Sequence, residues 1–313
     1  MESQTVVACC QYNQNNLKLL LIKDFIVVHA LELCSTSRCW KIEKVCENKL
    51  YLPRSYNGKK CIEIVDDKLC ESDDDNLCES NDDILCESNE KYIFDDKKIK
   101  FREKNVMYYY FKRPREIIIN EKFKNFTKIA LPKSYENHDC YGIYKIGDSL
   151  AFVFNYECGY AETPAKTKIV LIDTMQKEIS KKISISDNYG VDFHGHFIDS
   201  YVLYLMFLHF SNHLAPSGTH IIIVSIDTDG KTTKKYCYMD VDGVVVISKK
   251  LGKIKENSTV AIANNSTIFF NNDDTIVAFD ILTQIKKNIV CDLKVKEYDT
   301  EQTYYYMHSV VNI

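Results

Sequence analysis

The chain has 313 residues, 45% of them apolar, 27% charged and 12% aromatic, and a net charge of −4. This composition supports a sizeable core and excludes a disordered chain. The acidic balance excludes general affinity for nucleic acid or anionic membrane, leaving such contacts to local patches.

From end to end the sequence consists of short runs rich in Val, Ile, Tyr and Phe, separated by Asn, Asp, Gly and Ser. That pattern predicts strands. In chain order the clearest are LKLLLI (17–22), FIVVHALEL (25–33), VMYYYF (106–111), LAFVFNY (150–156) and YVLYLMF (201–207). They are followed by HIIIVSI (220–226), DGVVVIS (242–248), STIFFN (266–271) and TYYYM (303–307). Apolar spacing that would predict an amphipathic helix is hard to find.

A longer repeat organises these runs. Five segments end an apolar strand in Asp or Asn: CIEIVD at Asp66, EIIIN at Asn120, KIVLID at Asp173, IIVSID at Asp227 and TIVAFD at Asp280, at intervals of 53 or 54 residues. The last four are each followed by a turn and a Lys-bearing strand. A unit of about 50 residues made of three or four antiparallel strands is one blade of a β-propeller. FIVVHAL followed by CWKIEKV is a candidate for an earlier, shorter unit, which gives seven blades, or six if it belongs to the blade shared by the two ends. The end TYYYMHSVVNI and the start QTVVACCQY are both strand-like without a neighbour of their own, so they are expected to share a blade, which closes the ring and protects its edges. The expected fold is therefore all-β: a single β-propeller over 1–313, with six or seven blades and an acidic loop insertion at about 67–90.

The segment TIVAFDILTQIKKNI (275–289) resembles the third strand and following turn of a WD-repeat blade. Phe279-Asp280 stands where that family has Trp-Asp, and Thr283-Gln284 where it has a Thr-Gly turn. The same segment is similar to the blade strand of quinoprotein-type propellers. The resemblance covers this segment closely and the five repeated segments loosely, and it implies a propeller used as a platform for partners.

Between 66 and 96 thirteen acidic residues face only Lys68 and Lys91, and Leu-Cys-Glu-Ser occurs three times, at 69–72, 77–80 and 85–88. Asp73, Asp74, Asp75, Asp82 and Asp83 could offer oxygens to Ca²⁺, yet the glycine turn of a calcium loop is missing. Zinc through Cys70, Cys78 and Cys86 lacks the close cysteine pairing of structural sites. The stretch reads as an expanded surface loop or as an acidic partner-binding element. The following block, 97–133, holds twelve Lys or Arg against three Glu. Its centre YYYFKRPR sets Tyr109 beside Lys112, Arg113 and Arg115, a composition that suits partner contact or RNA stacking, and also an ordinary solvated strand face.

His194 and His196 fall on one face of a strand; with His209 or His213 they could bind zinc or copper. Gly230-Lys231-Thr232 is similar to the end of a phosphate-binding loop, but the glycine expected upstream is Ser225 and the context is a turn. No serine-nucleophile elbow or dinucleotide fingerprint is present. Asp66, Asp173, Asp227 and Asp280, one per repeat at one place, read as turn caps rather than catalytic acids. No cofactor is implied. Thirteen cysteines without a signal-peptide pattern predict reduced thiols in the cytoplasm or nucleus, and no apolar run reaches the ~20 residues of a membrane helix. The expected function is that of a non-enzymatic, cytoplasmic scaffold for protein partners. A metal-dependent propeller enzyme using the loop histidines is the second reading, and an RNA-contacting ribonucleoprotein component the third.

Overall fold

The computed structural model describes residues 5–13, 16–34, 43–46, 48–53, 59–72, 93–95, 98–103, 106–111, 115–121, 125–135, 138–156, 166–186, 191–210, 218–254, 259–272, 275–290 and 306–312. Among these there are 26 strands and one 3-10 turn, Lys133–Tyr135. No helix is long and apolar enough to cross a membrane.

The chain begins with β1 (Thr5–Asn13), β2 (Asn16–Lys23) and β3 (Ile26–Cys34). A four-stranded sheet follows in simple order: β4 (Glu43–Cys46), β5 (Lys49–Pro53), β6 (Lys59–Val65) and β7 (Lys68–Ser72). The next sheet has five strands: β8 (Ile93–Asp95), β9 (Lys98–Glu103), β10 (Val106–Phe111), β11 (Glu116–Glu121) and β12 (Asn125–Ala130). Then come β13 (His138–Ile146), β14 (Ser149–Tyr156), β15 (Lys166–Asp173) and β16 (Glu178–Ser186). A second five-stranded sheet runs β17 (Val191–Asp199), β18 (Val202–Phe210), β19 (Gly218–Ile226), β20 (Thr232–Met239) and β21 (Val245–Ser248). A further four-stranded sheet takes β22 (Thr259–Asn264), β23 (Thr267–Asn272), β24 (Thr275–Asp280) and β25 (Lys286–Val290). The last strand, β26 (Tyr306–Asn312), returns to the first sheet, whose order is β26-β1-β2-β3.

The 53-residue repeat is thus one sheet long. Asp173 and Asp280 close the third strand of their sheets, β15 and β24, and Asp66 and Asp227 follow the third strands β6 and β19. The expected sharing of a sheet by the two terminal segments is found: β1 and β26 pair antiparallel, with Val6 opposite Asn312 and Ala8 opposite Val310. Of the two placements open to it, FIVVHALEL takes the one within the sheet shared by the two ends. It forms β3, the outer strand of the first sheet, because Leu17–Lys23 pairs with it through Leu33–Ile26, and EKVC (β4) opens the next sheet. Of the stretch expected as an acidic insertion at about 67–90, Asp66-Asp67 is a tight turn and the first Leu-Cys-Glu-Ser copy is strand β7, paired with β6 and anchored by Leu69, 2% exposed; 73–90 lie outside the described residues. A leucine that enters the core settles that copy as strand, whatever its acidic company.

The chain divides into two compact units, one of 1–86, 208–222 and 235–313, the other of 87–207 and 223–234. In the first, Val7, Leu19, Leu21 and Leu33 pack with Leu50, Leu52, Ile62 and Leu69. In the second, Phe101, Tyr108, Tyr110, Ile117 and Ile119 pack with Ile143, Leu150, Phe152, Phe154, Val170 and Ile172. In both, alternate residues of neighbouring sheets supply one core, as period-2 patterning requires. Each such side chain contributes roughly 1.5–3 kcal/mol by leaving water.

Candidate partner-binding surface

Strand β10 shows how the aromatic segment is divided. Tyr108 and Tyr110 point into the core, where Tyr110 meets Phe154 edge-on at 5.0 Å and Phe101 lies 6.1 Å from Tyr108. Tyr109 and Phe111, two apart, share the opposite face, 6.3 Å between ring centroids and half-buried. Their register partners are Lys100 and Ile118, and Lys98 and Glu116. Arg115, half-buried, enters β11 from a left-handed backbone (φ 69°), and its carbonyl accepts the Leu131 N–H at 3.0 Å. Of the other residues expected to bind partners, Lys112, Arg113, Asp73, Asp74, Asp75, Asp82 and Asp83 lie outside the described residues.

His194 and His196 both lie in β17, and His209 lies in β18; His213 is outside the described residues. The His196 ring packs 4.1 Å from that of Tyr144, and burial lowers its pKa to about 4, which leaves a neutral imidazole at pH 7. Tyr144 fits because Gly142 is a glycine; a Cβ there would stand 2.3 Å from the Tyr144 hydroxyl. Among the described residues no three His, Cys, Asp or Glu converge on a common point.

The repeated carboxylates are engaged locally. Asp173 Oδ1 accepts the N–H groups of Met175 and Gln176 at 2.8 and 2.9 Å. Asp227 Oδ1 accepts Lys231 N–H at 2.7 Å, while Gly230 N–H donates to the Asp227 carbonyl. The Gly-Lys-Thr sequence therefore lies in a hairpin turn, with the Gly230 and Lys231 N–H groups bonded inward to Asp227. Asp280 Oδ1 accepts from Leu282 N, Thr283 N and Thr283 Oγ1, and its Oδ2 accepts from Ser266 Oγ at 2.6 Å. Burial alone would raise this carboxyl, but the four hydrogen bonds outweigh it and hold the pKa below its ordinary value. Asp240, outside the 53-residue pattern, does the same work for Asp242 and Val244.

Within the second unit, tight turns at the ends of β13, β15, β17 and β19 form a continuous surface that the sequence reading missed. Thr174 donates through N and Oγ1 to the Asp148 carbonyl at 3.0 and 2.7 Å, joining the β15–β16 turn to the β13–β14 turn. Gly147, at φ 58°, allows a close approach: a Cβ there would lie 3.0 Å from Thr228 Cγ2 and 3.9 Å from Tyr201 Cδ1. On this surface Met175 is 81% and Tyr201 69% exposed. Asp148, Asp199 and Asp229, in or next to the same turns, are exposed.

No family model matches the chain, and no curated protein matches its sequence. Among solved structures it is similar to a Synechocystis ACO in its cobalt-substituted form, at 8% identity over 92% of this chain and 78% of that one, TM-score 0.36. It is also similar to the hydrazine synthase of Kuenenia stuttgartiensis, at 10% identity over 84% and 70%, TM-score 0.32. A third is virginiamycin B lyase of Staphylococcus aureus, at 12% identity over 86% and 92%, TM-score 0.28. Likeness at these scores fixes no property of this chain.

Proposed function

We propose that the chain is a non-enzymatic β-propeller scaffold of WD-repeat-like design, each sheet a blade, whose loops and turns hold protein partners in the cytoplasm. The observation that carries this reading is the use made of the repeated carboxylates. Asp173, Asp227 and Asp280 accept backbone N–H groups of their own turns, so the one acidic constellation that recurs through the chain supports structure. A fold whose recurring Asp173, Asp227 and Asp280 serve its corners offers rigid turns as its product.

The acidic stretch after Ser72 and the Tyr109, Lys112, Arg113, Arg115 segment are contact elements in this reading. Its test is affinity purification of the intact chain beside a variant lacking 73–88, a deletion that leaves β7 and the buried Leu69 in place. Loss of particular stoichiometric partners supports the reading. Identical partner lists reduce the acidic repeat to a spacer, and no stoichiometric partner for either chain sinks the scaffold. Salt-sensitive RNA binding that disappears on charge reversal at Lys112, Arg113 and Arg115 would favour a ribonucleoprotein role instead.

A second reading is favoured by placement: His194 and His196 lie in β17 and His209 in the neighbouring strand β18. Stoichiometric zinc or copper in the purified protein, lost in His196→Ala, would replace the scaffold with a metal site built from His194, His196, His209 and His213.

A further inference from the structure

Tyr201 is the second residue of a two-residue turn, Ser200 at φ 46° and Tyr201 at φ 65°, the geometry that favours Asn-Gly. A bulky side chain costs about 1 kcal/mol in this left-handed region. The fold covers little of the ring in return, since it stands 69% exposed. The molecule contains its own comparison. The Asp24-Phe25 turn in the first unit has the same form, φ 48° and 67°, and there the aromatic ring is covered by the Lys287 ammonium, 4.6 Å from its centroid. At that turn the aromatic ring is completed by a cation, and among the described residues none stands over Tyr201.

Its surroundings select the same charge. Asp199 lies two residues before Tyr201, Asp229 adjoins Thr228, and Asp148 adjoins Gly147, the glycine that both Thr228 and Tyr201 approach. These three carboxylates make no ion pair among the described residues, and each is exposed. Lys181 Nζ donates to the Asp229 carbonyl at 3.0 Å, so one lysine already stands at that turn, and Asp148 and Asp199 are the carboxylates left open to a further cation. Met175 follows Thr174, which is hydrogen-bonded to Asp148, and supplies exposed apolar area on the same set of turns. Tyr and Met at the centre with charge at the rim is the composition of a binding hot spot.

We infer that this turn surface docks a basic segment of a partner protein, a Lys or Arg side chain stacking on Tyr201, Asp148 and Asp199 holding neighbouring cations, and Met175 receiving an apolar residue. The inference rests on the scaffold reading and gives one surface of that scaffold a ligand of defined chemistry.

The test uses the full chain and three fluorescent 12-residue peptides: Lys/Arg alternating with Leu/Phe, Glu alternating with Leu/Phe, and Lys alternating with Gly/Ser. The basic-apolar peptide is expected to bind most tightly, with an affinity that falls severalfold between 50 and 200 mM salt. Tyr201→Asn suits the positive φ, so it removes the ring without stressing the turn. Combined with Met175→Ala it is expected to weaken binding tenfold or more. Asp148→Asn with Asp199→Asn is expected to weaken it similarly and to flatten the salt dependence. Equal binding of the acidic-apolar peptide, or unchanged binding by the Tyr201→Asn, Met175→Ala variant, overturns the inference. Self-association of the wild-type chain in sedimentation that this variant abolishes also overturns it, by making a second copy the occupant. Partners recovered equally by wild type and variant would leave the scaffold standing and remove this surface from it.

Discussion

Asp280 and Asp66 occupy the same place in the repeat and do opposite things. Asp280 closes β24 and is 6% exposed, its carboxylate accepting from three donors on Leu282 and Thr283 and one on Ser266. The turn it caps spans four residues, with Gln284 at φ 58° donating its N–H to the Asp280 carbonyl. Asp66 is itself inside a two-residue turn, φ 47°, followed by Asp67 at φ 61°, and both are exposed. The difference lies in turn length. A four-residue turn leaves N–H groups facing inward that need an acceptor, whereas a two-residue turn is closed by the strands themselves and needs only residues that tolerate positive φ. The Asp that recurs every 53 residues is therefore one letter with two physical meanings.

The contrast can be broken most directly at Asp280. Asp280→Ala leaves two N–H groups and two hydroxyls without their acceptor in a buried corner and is expected to cost about 2–4 kcal/mol in urea unfolding. Asp66→Ala is expected to cost under about 1 kcal/mol, through backbone conformation alone. Equal losses would erase the distinction. Acid unfolding separates the two further. Asp280 has a pKa lowered in the fold, so its stabilisation is complete above the ordinary carboxylate value and is lost as pH falls through the folded value; Asp280→Asn should remove that part of the acid limb. A second, higher window belongs to His196. Its pKa is lowered from 6.5 to about 4, so stability falls as pH drops between those values, where the unfolded chain takes the proton first. Discounted for partial exposure, the effect is about 2 kcal/mol. His196→Phe should flatten it and leave the Asp280 limb in place.

These two kinds of corner also mark how far the sequence could be read. Strands were legible because runs of Val, Ile, Tyr and Phe are set off by Asn, Asp, Gly and Ser, and the pairing of the ends was legible because both are strand-like and a closed ring protects its edges. The capping role of Asp173, Asp227 and Asp280 followed from their recurrence. Asp66 did not, because turn class depends on how many residues separate two paired strands, a quantity fixed by register across the sheet. The same limit left two placements open for β3, whose neighbour in its sheet is β2 rather than the CWKIEKV that follows it. It also concealed Tyr201, since Ser-Tyr carries none of the Asn-Gly chemistry that announces a tight turn. Of the segment 108–115, alternation in β10 separates Tyr109 from the buried Tyr108 and Tyr110, a division open to sequence reasoning at the outset.

At intermediate scale, Gly147→Ala puts a Cβ at φ 58° and 3.0 Å from Thr228 Cγ2. The expected cost is about 1–2 kcal/mol, seen as a lower Tm, with the pH profile of His196 unchanged. Gln284→Gly, at a left-handed position in the Asp280 turn, is expected to stabilise by about 0.5–1 kcal/mol. It relieves the backbone while keeping every acceptor of the cap.

The smallest effect gives the sharpest comparison. Replacing Asp66-Asp67 by Asn-Gly supplies the residues best suited to two successive positive φ values. It removes the ion pair between Lys23 and Asp67, whose side chains are both at least one-third exposed, and such a pair contributes little. The expected outcome is a net gain of about 0.5 kcal/mol with an unchanged urea m-value, because neither carboxylate is needed where the strands close the turn. A loss larger than about 1 kcal/mol would mean that the Asp66 carboxylate accepts bonds as Asp280 does, and turn length would no longer explain why one repeated aspartate is buried and the other is not.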